Sequence, residues 1–357
     1  MARTTSTNYS TPSFPKASAD TDGFDAFDVQ QLAAAVDGHD HSTGKGLSAS
    51  IPAGSITNAK LAADTARANL LTNGGFEIWQ RGSGPFMANG AYSADRWINQ
   101  IAGTDTLSVS RDGTNQDAGS QYCAAVTFTL GTGAGATTLY EPVQYTDAGF
   151  RQLGGRPITF SVRVRTSVAN AVRLAFYDGS GFTFSAYHTG DGTYQTLSMT
   201  GTLIAGGTGG YVQVRFAASC TAYLDNAMLV VGSQAADYVL LHPADDLARC
   251  LRYYEPFALG SLSGTTFQAI STTQAIGSLR FSTPKPVTPT ITFSAASDFF
   301  LYSAAAASLT LTGFSSSGAN LIAANASGTV ASGLVGGNAC VLAGNNANAK
   351  VVIESNP

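Results

Sequence analysis

The sequence predicts an all-β protein, and three observations carry that reading. Apolar residues recur with a period of two through the middle of the chain. Ile158, Phe160, Val162 and Val164 alternate with Thr159, Ser161, Arg163 and Arg165; Val172, Leu174 and Phe176 alternate with Arg173 and Ala175; Val212, Val214 and Phe216 alternate with Gln213 and Arg215. Turn dipeptides such as Asp178-Gly179 and Asp191-Gly192 separate these runs, as packed sheets require. Glycine supplies 39 of 357 residues while charged residues make up only 12%, roughly half the charged share of an average domain. A hydrophobic content of 44% is ample for real cores, which excludes a wholly disordered chain. With a net charge of -4 and 19 dispersed Lys and Arg, there is no basic footprint for nucleic acid.

The elements follow in order. Residues 1–37 form a polar arm. Its first 23 residues, rich in Thr, Ser, Pro and Asp, cannot bury enough surface to fold alone and need a partner chain. A short helix is predicted over Asp25 to Asp37, with Val29, Leu32, Ala33 and Val36 on one stripe and Gly38 as its stop. Residues 38–69 read as an extended neck through Ile51-Pro52 and Ile56, with Asn58 capping a second short helix. Neither helix has a core of its own, so packing between chains is the economical solution.

Residues 70–232 form the main sandwich. Leu70 and Leu71 start it, Asn73-Gly74-Gly75 turns it, and Trp79 and Trp97 belong to its core. Residues 233–257 are a linker and helix. Asp245 and Asp246 come at the helix start and Arg249 and Arg252 later, with Leu247, Leu251 and Tyr254 on one stripe and Pro256 beyond the end. Residues 258–357 contain strands at Ile276 to Phe281, Thr290 to Phe293, Ser308 to Thr312 and Lys350 to Ile353, which fit a smaller β-sandwich. No segment is long or apolar enough to span a bilayer, and the N-terminus lacks a secretion signal, implying a protein made and kept in a cytosol until release. Cys123, Cys220, Cys250 and Cys340 lie far apart and read as buried free thiols.

Four strings carry a family resemblance. The opening NLLTNGGFEIWQRG from Asn69 and the matching close YLDNAMLV at Tyr223 to Val230 resemble the ends of carbohydrate-binding-type jelly rolls in bacteriophage fibre proteins. The neck from Gly38 to Leu71 is similar to the segment preceding the first globular module in such fibres, and DLARCLRYYE resembles the join to a second β module. The resemblance covers about residues 38 to 257. It implies an extended arm with short helices, a jelly-roll β-sandwich and a small C-terminal β domain in a homotrimer. The expected protein is a structural, non-enzymatic virion fibre. Other virion proteins would hold it through residues 1–37, and its β domains would meet a host-surface glycan, without membrane insertion. A tail fibre is expected first, with a head fibre or capsid decoration protein as the alternative. A carbohydrate-active enzyme, or its sugar-binding module, is the alternative from another class.

Several motifs bear on chemistry. The runs GTGAGA at Gly131 and GGTGG at Gly206 do not open a helix in a βαβ unit and read as loops, and Ser42 to Gly46 fails the phosphate-loop pattern. No G-x-S-x-G elbow exists. Glu77, Asp95, Glu141 and Asp191 are the carboxylates that a glycosidase would have to pair, or else they are turn caps and salt-bridge partners. His39 and His41 stand at i and i+2, so an extended trimer would aim six imidazoles at one axial transition metal; the alternative is a solvated turn. Aromatics cluster from Phe176 to Tyr194. There Tyr187, His188, Asp191 and Tyr194 form the candidate glycan site, while Phe182 and Phe184 suit the core better.

Overall fold

A computed structural model describes residues 68–143, 153–205, 209–258, 265–303 and 306–356. The chain divides into two units, Met1–Thr65 and Ala66–Pro357. All described residues belong to the second, so the expected arm, its helix and most of the neck lie outside them. Among the described residues no helix is long and apolar enough to cross a membrane.

Ten strands build the first half: β1 (Ile98–Gln100), β2 (Thr106–Asp112), β3 (Cys123–Thr129), β4 (Thr137–Val143), β5 (Pro157–Thr166), β6 (Val172–Tyr177), β7 (Phe182–Tyr187), β8 (Tyr194–Thr202), β9 (Gly210–Phe216) and β10 (Cys220–Val231). They form two five-stranded sheets, one ordered β1-β4-β9-β6-β7 and the other β2-β3-β10-β5-β8. All pairs are antiparallel. This is the predicted all-β jelly-roll sandwich. The alternating apolar residues of β5, β6 and β9 fill the space between the sheets, together with Phe128 and Leu139. GTGAGA is the loop that carries the chain from β3 in one sheet to β4 in the other.

The opening and closing strings of the module are bonded to each other. Leu70 donates to the Leu229 carbonyl at 2.9 Å and Ala227 to the Gly74 carbonyl at 2.7 Å. The Asn69 amide donates to Ala227 O and accepts from Leu229 N, each at 2.9 Å. Gly74 is required here because a Cβ would lie 2.3 Å from the Ala227 oxygen. Asn73 is the hub. Fully buried and left-handed at φ +56°, its side chain pairs with both backbone groups of Ile78 at 2.9 Å, and its carbonyl accepts from Trp97 Nε1 at 3.2 Å. Asparagine tolerates that backbone region better than other branched or bulky residues. Trp97 then stacks on Phe76 at 4.7 Å in the core, while Trp79 is also buried, as expected.

A single helix, α1 (Pro243–Leu251), follows the sandwich, with Pro243 opening it and the His242 ring accepting from Ala244 N. It is shorter than predicted, and the predicted stripe is wrong. Leu247 is 39% exposed, whereas Asp246 and Cys250 are buried. The reason is polar: Asp246 accepts from Asn73 N at 3.1 Å, so the helix faces the jelly roll with its carboxylate. Tyr254 lies beyond the helix and starts the next strand.

The C-terminal region is not the expected sandwich. β11 (Tyr254–Ala258), β19 (Lys350–Glu354) and β14 (Thr290–Phe293) form a three-stranded sheet. β12 (Thr266–Ala269), β13 (Gln274–Arg280), β17 (Ala323–Val330), β16 (Ala306–Ser317), β15 (Phe299–Ser303) and β18 (Ala339–Gly344) close into a barrel. Closure removes sheet edges, and small inward residues permit it. Ala269, Ala275, Ala326 and Ala343 are buried, and Gly277 sits opposite Phe267, whose ring would lie 2.5 Å from an added Cβ. Gly277→Ala is therefore expected to cost about 1–3 kcal/mol by overpacking. Urea unfolding would show it, and an unchanged midpoint would mean that the Phe267 ring moves aside freely.

The two halves interlock. Arg81 pairs with Glu354 at 2.7 Å and stacks over Tyr254 at 3.7 Å, while Arg96 reaches Asn356 at 3.2 Å and covers the Tyr253 ring at 3.8 Å. Buried Lys285 ties Glu255 to the Leu251 carbonyl at the end of α1. All four cysteines are free and buried.

Candidate functional site

The two sheets end differently at their outer faces. On β2-β3-β10-β5-β8 the loop between β2 and β3 folds over the sheet and is fastened there. Asp117 pairs with Arg163 at 2.5 Å, and its amide donates to buried Asp225 at 2.9 Å. Ser120 donates to Asp225 at 3.1 Å, and the Tyr194 hydroxyl donates to the Asn115 carbonyl at 2.8 Å. The outer face of β1-β4-β9-β6-β7 carries large rings instead.

Strand register builds that second face row by row. Pro142 on β4 opposes Tyr211 on β9, which opposes Tyr177 on β6, which opposes Phe182 on β7. The next row runs Tyr140, Gln213, Ala175, Phe184, and the third Thr138, Arg215, Arg173, Tyr187. Every second residue of a strand faces one side, so the core pattern of Val172, Leu174 and Phe176 forces Arg173, Ala175 and Tyr177 outward. Tyr177 and Tyr211 stack with centroids 4.8 Å apart and planes 22° off parallel. Tyr140 lies 5.7 Å from Tyr211, and Phe182 lies 5.0 Å from Tyr177. Together they form a shelf of rings about four strands wide.

The polar groups of the shelf are held in place. Buried Gln213 donates to Gln100 at 3.2 Å and accepts from Arg215 Nε at 2.8 Å, and Thr138 also donates to Gln100. The Arg215 guanidinium lies 4.0 Å from the Phe182 centroid, and that of Arg173 lies 3.9 Å from Phe184 and 4.8 Å from Tyr187. Burial and the neighbouring Arg173 charge push the Arg215 pKa down; burial and Tyr177 push that of Tyr211 up. Chemically, the surface offers flat apolar faces for the C–H side of a sugar ring beside fixed donors for its oxygens.

The four residues proposed from sequence are not brought together. Tyr187 lies on the aromatic face, at the edge strand β7. His188, next in sequence, is fully buried: its Nε2 is 3.0 Å from the Val164 carbonyl and 3.2 Å from that of Thr193, and its Nδ1 accepts from Gly190 N at 2.9 Å. That pattern places the proton on Nε2. The imidazole fastens a loop and cannot reach a ligand. Asp191 is an exposed turn cap that accepts from Thr193 N at 2.9 Å and Gln195 at 2.7 Å, and the Thr193 amide holds its pKa down. Tyr194 lies on the other sheet, where burial raises its pKa.

Phe182 and Phe184, expected inside, are 40% and 39% exposed on the shelf, while Phe176 is core. The four arginines that alternate with core residues are divided between the two sheets. Arg163 and Arg165 belong to one sheet, Arg173 and Arg215 to the other. Tyr140, Tyr177 and Tyr211 were missed as a group because their strands are distant in sequence. The signal lay in the outward positions of β6 and β9, which alternate with unmistakable core residues.

Glu77, Asp95 and Glu141 have other duties. Glu77 accepts from the amides of Gln121 at 2.7 Å and Tyr122 at 3.2 Å, Asp95 accepts from Gln80, and buried Glu141 accepts from Thr72 N at 2.9 Å. His39 and His41 lie outside the described residues. Among the described residues there is no cluster of three or more His, Cys, Asp or Glu able to hold a metal.

The fold and site define a jelly roll with an open, aromatic, arginine-bearing face, joined to a small β-barrel. No family model and no curated protein matches the chain. Among solved structures it is similar to the CBM22-1 xylan-binding domain of Xyn10C from Paenibacillus barcinonensis, at 13% identity over 48% of this chain and 98% of that one, with a TM-score of 0.32. It is also similar to the C-terminal family 22 carbohydrate-binding module of Clostridium thermocellum Xyn10B, at 20% identity over 43% and 96% of the two chains, with a TM-score of 0.30. A third is the enzymatically active domain of bacteriophage CBA120 tailspike protein 4, at 10% identity over 46% of this chain and 21% of that one, with a TM-score of 0.32. Likeness at these values assigns no activity.

Proposed function

We propose that this protein is a non-catalytic, glycan-binding fibre subunit of a bacteriophage virion. The observation that carries glycan binding is the shelf of Tyr140, Tyr211, Tyr177 and Phe182 on an outer sheet face. Rings of this size are ordinarily buried. Here four neighbouring strands each place one outward, Tyr211, Tyr177 and Phe182 in one register row and Tyr140 in the next, where a ligand with flat apolar faces can use them. The virion role is supported by the resemblance of the opening and closing strings, the neck and DLARCLRYYE to phage fibre proteins. In this reading residues 1–37 join the particle, the chain is a homotrimer, and the jelly roll meets sugars of the host surface.

The test is the double variant Tyr177→Ala with Tyr211→Ala. Each lost stacking ring removes about 0.5–1.5 kcal/mol beyond its buried area, so together they should weaken binding to host-surface polysaccharide about tenfold or more. Unchanged retention on that polysaccharide, with a wild-type melting curve, would refute the shelf as the binding site. Cleavage of the polysaccharide by the wild-type protein would refute the non-catalytic reading.

A further inference from the structure

The shelf carries two positive charges that no carboxylate among the described residues pairs with. Arg173 and Arg215 are directly opposed on neighbouring strands β6 and β9, a placement that costs stability for like charges. Several other cations face carboxylates: Arg163 has Asp117, Arg81 has Glu354 and Lys285 has Glu255. Among the described residues neither Arg173 nor Arg215 has an acidic partner within 4.0 Å. Their guanidiniums rest instead on the rings of Phe182, Phe184 and Tyr187. The Arg215 Nε is taken up by Gln213, which fixes the plane of the fork and leaves its terminal amino groups without a hydrogen-bond acceptor among the described residues.

Resting on the reading of this face as a glycan site, we infer that its ligand is an acidic glycan, with Arg173 and Arg215 together taking a sugar carboxylate beside the stacking shelf. A planar, pre-oriented guanidinium matches a carboxylate through paired hydrogen bonds. Two of them beside one row of rings suit a sugar that stacks through its ring and presents its acid at the edge. Because the whole chain is negatively charged, at -4, a polyanion would be drawn to this face and not to the protein at large.

The experiment is affinity electrophoresis of the full chain through gels containing polygalacturonate, alginate or hyaluronate, each beside its carboxyl-reduced, neutral form, with polyglutamate as a sugar-free polyanion. Retardation by at least one uronate polymer, about tenfold stronger than by its reduced form and weakened by added salt, is expected. Arg173→Gln and Arg215→Gln should each abolish most of that difference without lowering the melting temperature, since each removes one of two opposed like charges. Tyr177→Ala should weaken acidic and neutral polymers alike. Equal retardation by acidic and reduced polymers, equal losses for both in the arginine variants, or equal capture by polyglutamate would overturn the acidic preference while glycan binding stands or falls by Tyr177→Ala. No retardation by any polymer would overturn both.

Discussion

Replacing Asn73 with alanine is expected to destabilise the jelly roll by about 2–4 kcal/mol, because two separate costs fall on one residue. The side chain of buried Asn73 accepts from the Ile78 N–H and donates to the Ile78 carbonyl; the carbonyl keeps the Asp95 amide at 3.0 Å, but the N–H is left unpaired, at a cost of about 1–3 kcal/mol. The backbone at φ +56° adds about 1 kcal/mol for a residue with a Cβ and no local hydrogen bond. Asn73→Gly separates the two, since glycine keeps the left-handed backbone and loses only the hydrogen bonds. Denaturant unfolding of both variants should therefore rank wild type above Gly above Ala. An alanine variant within about 0.5 kcal/mol of wild type, the range of an ordinary surface change, would show that Asn73 is not the hub of the opening turn.

Stability is also expected to fall as pH rises from mildly acidic to alkaline. Burial pushes Glu141 up to about 8 against the partial help of Arg96 and of the Thr72 amide, and pushes Asp225 up to about 7. A carboxyl raised in the folded state binds more protons folded than unfolded. Its contribution is complete below the unfolded pKa of 4.5 for Glu141 and is lost as pH climbs through about 8. The loss is on the order of a few kcal/mol. Exposed Asp178 and Asp191 are shifted the other way by turn hydrogen bonds, so they act only at the acidic end. Glu141→Gln keeps an acceptor for Thr72 and cannot ionise. Relative to wild type it should gain stability between pH 5 and pH 8.5, a change that melting curves at those two values would reveal. A gap independent of pH would mean that Glu141 is ionised throughout and its pairing with Arg96 dominates.

Glu141 shows why the site was only partly legible. Its neighbours in sequence mark a strand of period two, which is correct, but nothing local says that this carboxylate lies beside Arg96 near the junction with the C-terminal half. The same holds for α1. Periodicity placed a helix near Asp245 to Tyr254, yet the buried face was chosen by the bond between Asp246 and Asn73, 173 residues earlier. His188 was a plausible ligand contact in a polar-aromatic stretch until three backbone groups, from Val164, Thr193 and Gly190, enclosed it.

The sequence by itself determined the fold class and the inner residues of the strands. Alternation of apolar and polar residues is a local property of an extended backbone, and it supplies most of the large apolar side chains of the core, to which the opening segment adds Phe76, Trp79 and Trp97. The opening turn at Asn73-Gly74-Gly75 was also legible, since asparagine tolerates its left-handed position and Gly74 leaves room for the Ala227 carbonyl. What the tertiary structure alone decided was which outward residues share a face and which face stays open. Tyr140, Tyr177, Tyr211 and Phe182 become one surface only through the pairing of β4, β9, β6 and β7, and the opposite sheet's outer face is closed by a loop whose anchors lie on β5, β8 and β10. It also decided that the C-terminal strands close into a barrel, where glycine opposite phenylalanine lets the walls approach. Long-range pairing and closure depend on contacts between segments far apart in the chain, and no local period encodes them.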